Sequence, residues 1–233
     1  MRKSLVRLII CAICALTIAL PVTGCGDSSP GGISFPDPNL EAAIREAIDK
    51  PSGPINASDL EGLYSLNARD MSIADITGIE YCTKLEGIDL RYNNIVDVSP
   101  LANLTNLDML LLSGNQISDI APLENLTGLT WLSISYNNNF SEISALSNLA
   151  NLEVLNIGGN QITDISPLSN LMHLDELSLD CNQITSIEPL IKNTGLSSGD
   201  SVNIRDNPLD EDSLNTYIPQ LGARGVEVTF DEN

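Results

Sequence analysis

The side chains in this sequence best suited to chemistry are one histidine, five cysteines and a large excess of carboxylates. His173 is the only imidazole, so a triad would need a nucleophile and a carboxylate converging on it. No serine stands in the strand-to-helix turn that activates a hydroxyl, and His173 follows Met172 in what reads as a connecting loop. Gly158-Gly159 lacks both the following Lys of one phosphate-binding loop and the glycine spacing of another. Asp75, Asp97, Asp119, Glu142 and Asp164 recur as a column. Stacked about 5 Å apart, such carboxylates either bind cations such as calcium or cap turns in solvent. The Asp-Gly pattern of calcium-binding repeats is missing, which favours capping. Asp206, Asp210, Glu211 and Asp212 likewise lack the spaced ligands and central glycine of a calcium loop. The expectation is a protein without catalysis, cofactor or metal.

The elements that position these residues follow from composition and period. The chain has 233 residues, with 31 Asp and Glu against 11 Lys and Arg and a formal charge of −20. Nucleic acid is excluded as a partner, because phosphate recognition needs clustered bases. Aromatics make up 4%, so leucine and isoleucine must fill the core. Leu85, Leu107, Leu129, Leu152 and Leu174 stand in one column, spaced 22, 22, 23 and 22. Beneath Leu85 run Ile88, Leu90, Asn93, Ile95, Val98, Leu101 and Leu104. The same phases beneath Leu107 hold Leu110, Leu112, Asn115, Ile117, Ile120, Leu123 and Leu126. Segments such as Ile88-Asp89-Leu90 put an aliphatic at every second residue, the signature of a strand with one buried face.

This pattern resembles the leucine-rich repeat family, in the short-repeat subclass of bacterial internalins. The resemblance implies an α/β solenoid: a parallel sheet on the concave face and short 3₁₀ turns on the convex side. The asparagine column (Asn93, Asn115, Asn137, Asn160, Asn182 and Asn207) falls where each repeat turns inward. A buried amide there can satisfy backbone groups of two repeats. Met71 takes that phase in the first repeat. Ser99-Pro100, Ala121-Pro122, Ser166-Pro167 and Glu188-Pro189 share a phase; proline suits the start of a helical turn and a preceding serine can cap it. Cys82 reads as a small core hydrophobe, and the register sets it several repeats from Cys181, so no disulfide is expected between them.

The ends must be sealed, because terminal repeats would otherwise expose their core. Asp37-Pro38 opens a helix with Leu40, Ala43, Ile44, Ala47 and Ile48 on one face, and the segment resembles the helical cap of internalin-like domains. Residues 35–62 form this cap, 63–195 the repeats, and 196–233 a stretched last repeat with a closing cap. In that last segment, 212–221 reads as a helix and 226–230 as a strand.

Residues 1–24 read as an address. Arg2, Lys3 and Arg7 precede an apolar stretch at 8–20 that is too short to span a bilayer. Val22-Thr23-Gly24-Cys25 resembles the bacterial lipobox, which implies cleavage before Cys25 and a diacylglyceryl thioether on its sulfur. A small polar tether, 25–34, follows. The expected location is extracytoplasmic, anchored by lipid to a membrane or cell surface.

Outward strand positions gather Met109, Leu111 and Trp131 on adjacent repeats, with Tyr92 and Tyr136 at the rim and Arg69 and Arg91 to one side. Trp, Tyr and Arg are the residue types that anchor interfaces. The expectation is a monomeric module that binds a protein or surface polymer on this face. The competing reading is a structural envelope lipoprotein with no dedicated ligand, in which the rings only cover the strand ladder.

Overall fold

A computed structural model of the chain describes residues 32–137 and 140–231. Cys25 and residues 1–24, expected from sequence to be a cleaved address, lie outside the described residues. Two short helices, α1 (Pro38–Ala47) and α2 (Ala57–Leu60), precede the sheet. Its strands are β1 (Ser65–Asn67), β2 (Gly87–Asp89), β3 (Met109–Leu111), β4 (Trp131–Ser133), β5 (Val154–Asn156), β6 (Glu176–Ser178), β7 (Ser201–Asn203) and β8 (Glu227–Thr229). Helix α3 (Glu188–Lys192) lies between β6 and β7, and α4 (Ile218–Ala223) precedes β8. The strands pair in parallel, in sequence order. Ser65 pairs with Gly87, Gly87 with Met109, Met109 with Trp131 and Trp131 with Val154. The fold is an α/β solenoid.

The middle residue of each strand from β1 to β7 (Leu66, Ile88, Leu110, Leu132, Leu155, Leu177 and Val202) is buried in one continuous aliphatic core. Each such side chain contributes about 2 kcal/mol by leaving water. The asparagine column ties neighbouring repeats together. Asn93 Oδ1 accepts from the N–H groups of Met71 (3.0 Å) and Ile73 (2.9 Å). Its Nδ2 donates to the carbonyls of Ala68 (2.8 Å) and Leu90 (2.9 Å). Asn115 does the same with Ile95, Leu90 and Leu112, and Asn207 with Ile184, Leu179 and Ile204. No buried side-chain nitrogen or oxygen among the described residues lacks a partner.

The convex turns are 3₁₀ segments such as Ser99–Leu101 and Ala121–Leu123. They are capped by the acidic column rather than by the serine before proline. The N–H of Ser99 donates to Asp97 Oδ1, that of Ala121 to Asp119 Oδ1 and that of Ser166 to Asp164 Oδ1, each at 2.8 Å. The reason is reach: Ser99 already lies inside the turn, whereas a carboxylate two residues back faces its free N–H.

At the first end, Asp37 Oδ1 caps α1 through the N–H groups of Asn39 and Leu40. Its Oδ2 accepts from Ala74 (2.8 Å) and Asp75 (3.2 Å) of the first repeat. Burial opposes ionisation there, but these four donors hold the carboxyl below its ordinary pKa. Leu40, Ala43 and Ile44 are buried, whereas Ala47 is exposed where the helix ends. Ile33, placed in the tether by sequence, is docked instead, its N–H donating to Ile55 O at 2.7 Å. At the other end the expected helix over 212–221 is a π turn (Ser213–Tyr217) running into α4. Pro219 has no N–H to give to the preceding turn and its ring crowds that turn, which widens it. Ile218 N–H reaches Ser213 O accordingly.

Candidate binding face

The strands present three outward columns. The first runs Ser65, Gly87, Met109, Trp131, Val154, Glu176, Ser201 and Glu227, each aligned with the next by strand pairing. The second starts at Asn67 and passes through Asp89, Leu111, Ser133 and Asn156. A third follows the strands and includes Arg69, Arg91, Ser113 and Ser135. Inward curvature of the sheet leaves a trough of about 630 Å³ over β3 to β8. Met109, Leu111, Trp131, Val154, Glu176 and Glu227 line it, with Arg91 at one end. Of these, Leu111 is buried, Met109, Trp131 and Val154 are half-buried, and both glutamates are exposed.

The structure thus brings Met109, Leu111, Trp131 and Arg91 to one trough and leaves Arg69, Tyr92 and Tyr136 outside its lining. The two tyrosines occupy the rim, more than half exposed (53% and 56%). They belong to a column of left-handed residues formed by Asp70, Tyr92, Gly114, Tyr136, Gly159, Cys181 and Asp206, with φ from 54° to 72°. The Arg69 guanidinium lies over the Tyr92 ring, 4.8 Å from its centroid, a cation–π contact.

Arg91 is not an unpaired base. Its Nε and one terminal nitrogen donate to both oxygens of Asp89, at 2.9 and 2.6 Å. Those hydrogen bonds hold the guanidinium pKa above its ordinary value against partial burial. Asp89 is buried, so this forked pair is part of the sheet surface and supplies little net field. The unneutralised charge lies at the opposite end. Glu176 and Glu227 form no ion pair among the described residues. The nearby rim is acidic as well: Asp180 first, then burial, Cys181 and Asp206, push the Tyr136 hydroxyl pKa up.

His173 is exposed, and among the described residues no three His, Cys, Asp or Glu groups come together as a metal site. Cys82 is buried and Cys181 half-buried, both as free thiols. They flank β2 and β6, four strand spacings or about 19 Å apart along the sheet.

The family model for leucine-rich repeats matches residues 105–149 and 150–192. Among solved structures, internalin C2 from Listeria monocytogenes aligns at 33% identity with a TM-score of 0.65, over 84% of this chain and 94% of that one. The chain belongs to the internalin-like leucine-rich repeat family. A second internalin of the same organism (inlF) aligns at 30% identity and a TM-score of 0.66, over 84% of this chain and 64% of that one. The functional domain of InlJ, also from Listeria monocytogenes and including a cysteine ladder, shares the fold at 24% identity and a TM-score of 0.51, over 76% and 52%. Comparison with curated protein sequences finds no match.

In this internalin-like protein the repeat register alone sets Val154 and Glu176 at outward positions of the face, but the partner residues expected from sequence omit them and Glu227. Past Trp131 the first column changes from apolar to acidic. Glu227 was harder to reach, since β7 and β8 pair at an offset of 26 rather than 22 residues.

Proposed function

We propose that this internalin-like protein is a lipid-tethered, extracytoplasmic binding module that takes a protein or surface-polymer ligand on its concave face and carries out no catalysis. The observation that carries the reading is the alignment of Met109, Trp131 and Val154 on three adjacent strands, where they line an open trough. A surface meant only for solvent has no need of adjacent half-buried apolar groups, and tryptophan is the residue that most often anchors an interface. Membership of a repeat family whose extended concave surfaces suit binding adds support. The tether belongs to the same reading: a basic segment, a short apolar stretch and Val22-Thr23-Gly24-Cys25 would leave Cys25 lipidated and the module held at a surface, acting as a monomer.

The test is a pull-down from envelope and cell-surface fractions with the full chain and its Trp131→Ala variant. Retention of a partner by the parent and its loss from a variant of unchanged melting temperature is the expected result. Equal retention by both, or a melting temperature lowered by many degrees, makes Trp131 a packing residue and removes the site. Intact mass of membrane-extracted protein tests the anchor, where an unmodified Cys25 or retained residues 1–24 would end that part of the reading.

A further inference from the structure

The first outward column changes character along the solenoid: small at Ser65 and Gly87, apolar at Met109, Trp131 and Val154, then Glu176, Ser201 and Glu227. Within the trough the apolar half therefore abuts a carboxylate half. The charge at the N-terminal end is already cancelled by the fork between Arg91 and Asp89, while Glu176 and Glu227 meet no cation among the described residues. The chain as a whole is strongly acidic, so its field draws cations and repels a second copy of itself.

We propose that the occupant of the trough is an extended cationic polypeptide segment, seating an apolar side chain on Met109, Trp131 and Val154 and pairing Lys or Arg with Glu176 and Glu227. The proposal rests on the concave-face reading and adds the chemistry and direction of its partner. Spacing makes it specific. Trp131 and Glu176 are two strands apart, as are Glu176 and Glu227, and each interval is about 10 Å. A segment extended as polyproline II advances about 3.1 Å per residue and returns to the same face every third residue. The matching segment thus carries its bases three and six residues beyond the apolar anchor.

Three fluorescent synthetic peptides test this by anisotropy against the full chain. The first reads Leu-x-x-Lys-x-x-Lys in a Ser/Gly background, the second has Glu in place of both lysines, and the third has Ala in place of Leu. The Lys peptide is expected to bind roughly tenfold or more tightly than the Glu peptide at low ionic strength, with the gap narrowing in salt. The Glu176→Gln/Glu227→Gln variant should close the gap. The Glu124→Gln/Glu211→Gln variant, which removes two carboxylates away from the trough, should keep it. Equal binding of the two charged peptides, no binding of the Lys peptide, or a preference that survives in the trough variant overturns the proposal. So does a preference lost equally in both variants, which would be the diffuse field of the whole chain, or a concentration-dependent mass in sedimentation, which would make a second copy the occupant. Trp131→Ala separates the two levels. If it weakens the Lys peptide and the charge preference is absent, the face stands and the cationic partner falls. If it leaves that peptide's binding unchanged, the face itself falls.

Discussion

The ring of Tyr92 lies against Gly114, the residue of its own column one strand further on: a methyl group at Gly114 would stand 2.8 Å from Tyr92 Cδ1. Tyr136 and Gly159 repeat the arrangement, at 2.5 Å. A side chain on a left-handed residue at this rim leans along the solenoid over the next repeat, so a large one requires a small successor. The alternation of tyrosine and glycine in this column is the consequence.

Gly114→Ala should therefore cost on the order of 2 kcal/mol, part of it from the left-handed φ of +72° and part from the ring. In a Tyr92→Ala background the ring's share disappears. A denaturant double-mutant cycle is expected to give a coupling of about 1 kcal/mol; additivity would show that the ring yields freely.

Asn115→Leu removes one acceptor and one doubly engaged amide from the ladder. It leaves Ile95 N–H and the carbonyls of Leu90 and Leu112 without that partner in the interior. The expected loss is about 3 kcal/mol or more, read as a lower denaturation midpoint. Hydrogen exchange should show the extra opening concentrated in the repeats on either side of Asn115. A loss below about 1 kcal/mol would mean that water reaches these groups.

Asp37 joins the N-terminal helix to the first repeat, and its folded pKa is lowered although burial opposes the shift. A depressed carboxyl contributes stability that is fully present above its unfolded pKa of about 3.9 and fades as pH falls through the folded value. Protonation of the other carboxylates also relieves repulsion in this acidic chain, so the useful quantity is a difference. The stability advantage of the parent over Asp37→Asn should stay level between pH 7 and 5 and shrink below about pH 4. An advantage that stays level down to pH 2 would place the effect elsewhere.

Burial first, then Glu80, pushes the Cys82 thiol up to about 12. Cys181 is half-buried and also raised, by burial first and then by its bond to Asp206. Native-state alkylation at pH 8, read by peptide mass, should label Cys181 slowly and Cys82 only when the chain unfolds. Recovery of a disulfide joining the two would contradict the strand register.

The sequence by itself determined the solenoid. Aliphatics at period two, an amide at constant phase and proline at constant phase each state where a residue sits within a repeat. Any repeat that cannot bury its own face must stack on its neighbours. The outward residues Met109, Leu111 and Trp131 followed from the same alternation. Tertiary structure decided what each of these residues meets. Arg91 was legible as a base beside the apolar patch, but its fork with buried Asp89 depends on side-chain geometry above the sheet. The capping role of Asp97 and Asp119 was legible from their constant phase, but which N–H each one meets depends on what its turn leaves free. The π turn at Ser213–Tyr217 depends on where Pro219 crowds the turn behind it. Glu176 keeps the 22-residue period, but the arrival of Glu227 in the same column depends on pairing offsets of 25 and 26 residues at the last two strands, which that period does not supply. Position within a repeat is a local property of side-chain period, whereas charge, capping and enclosure arise from neighbours that only the stacking brings together.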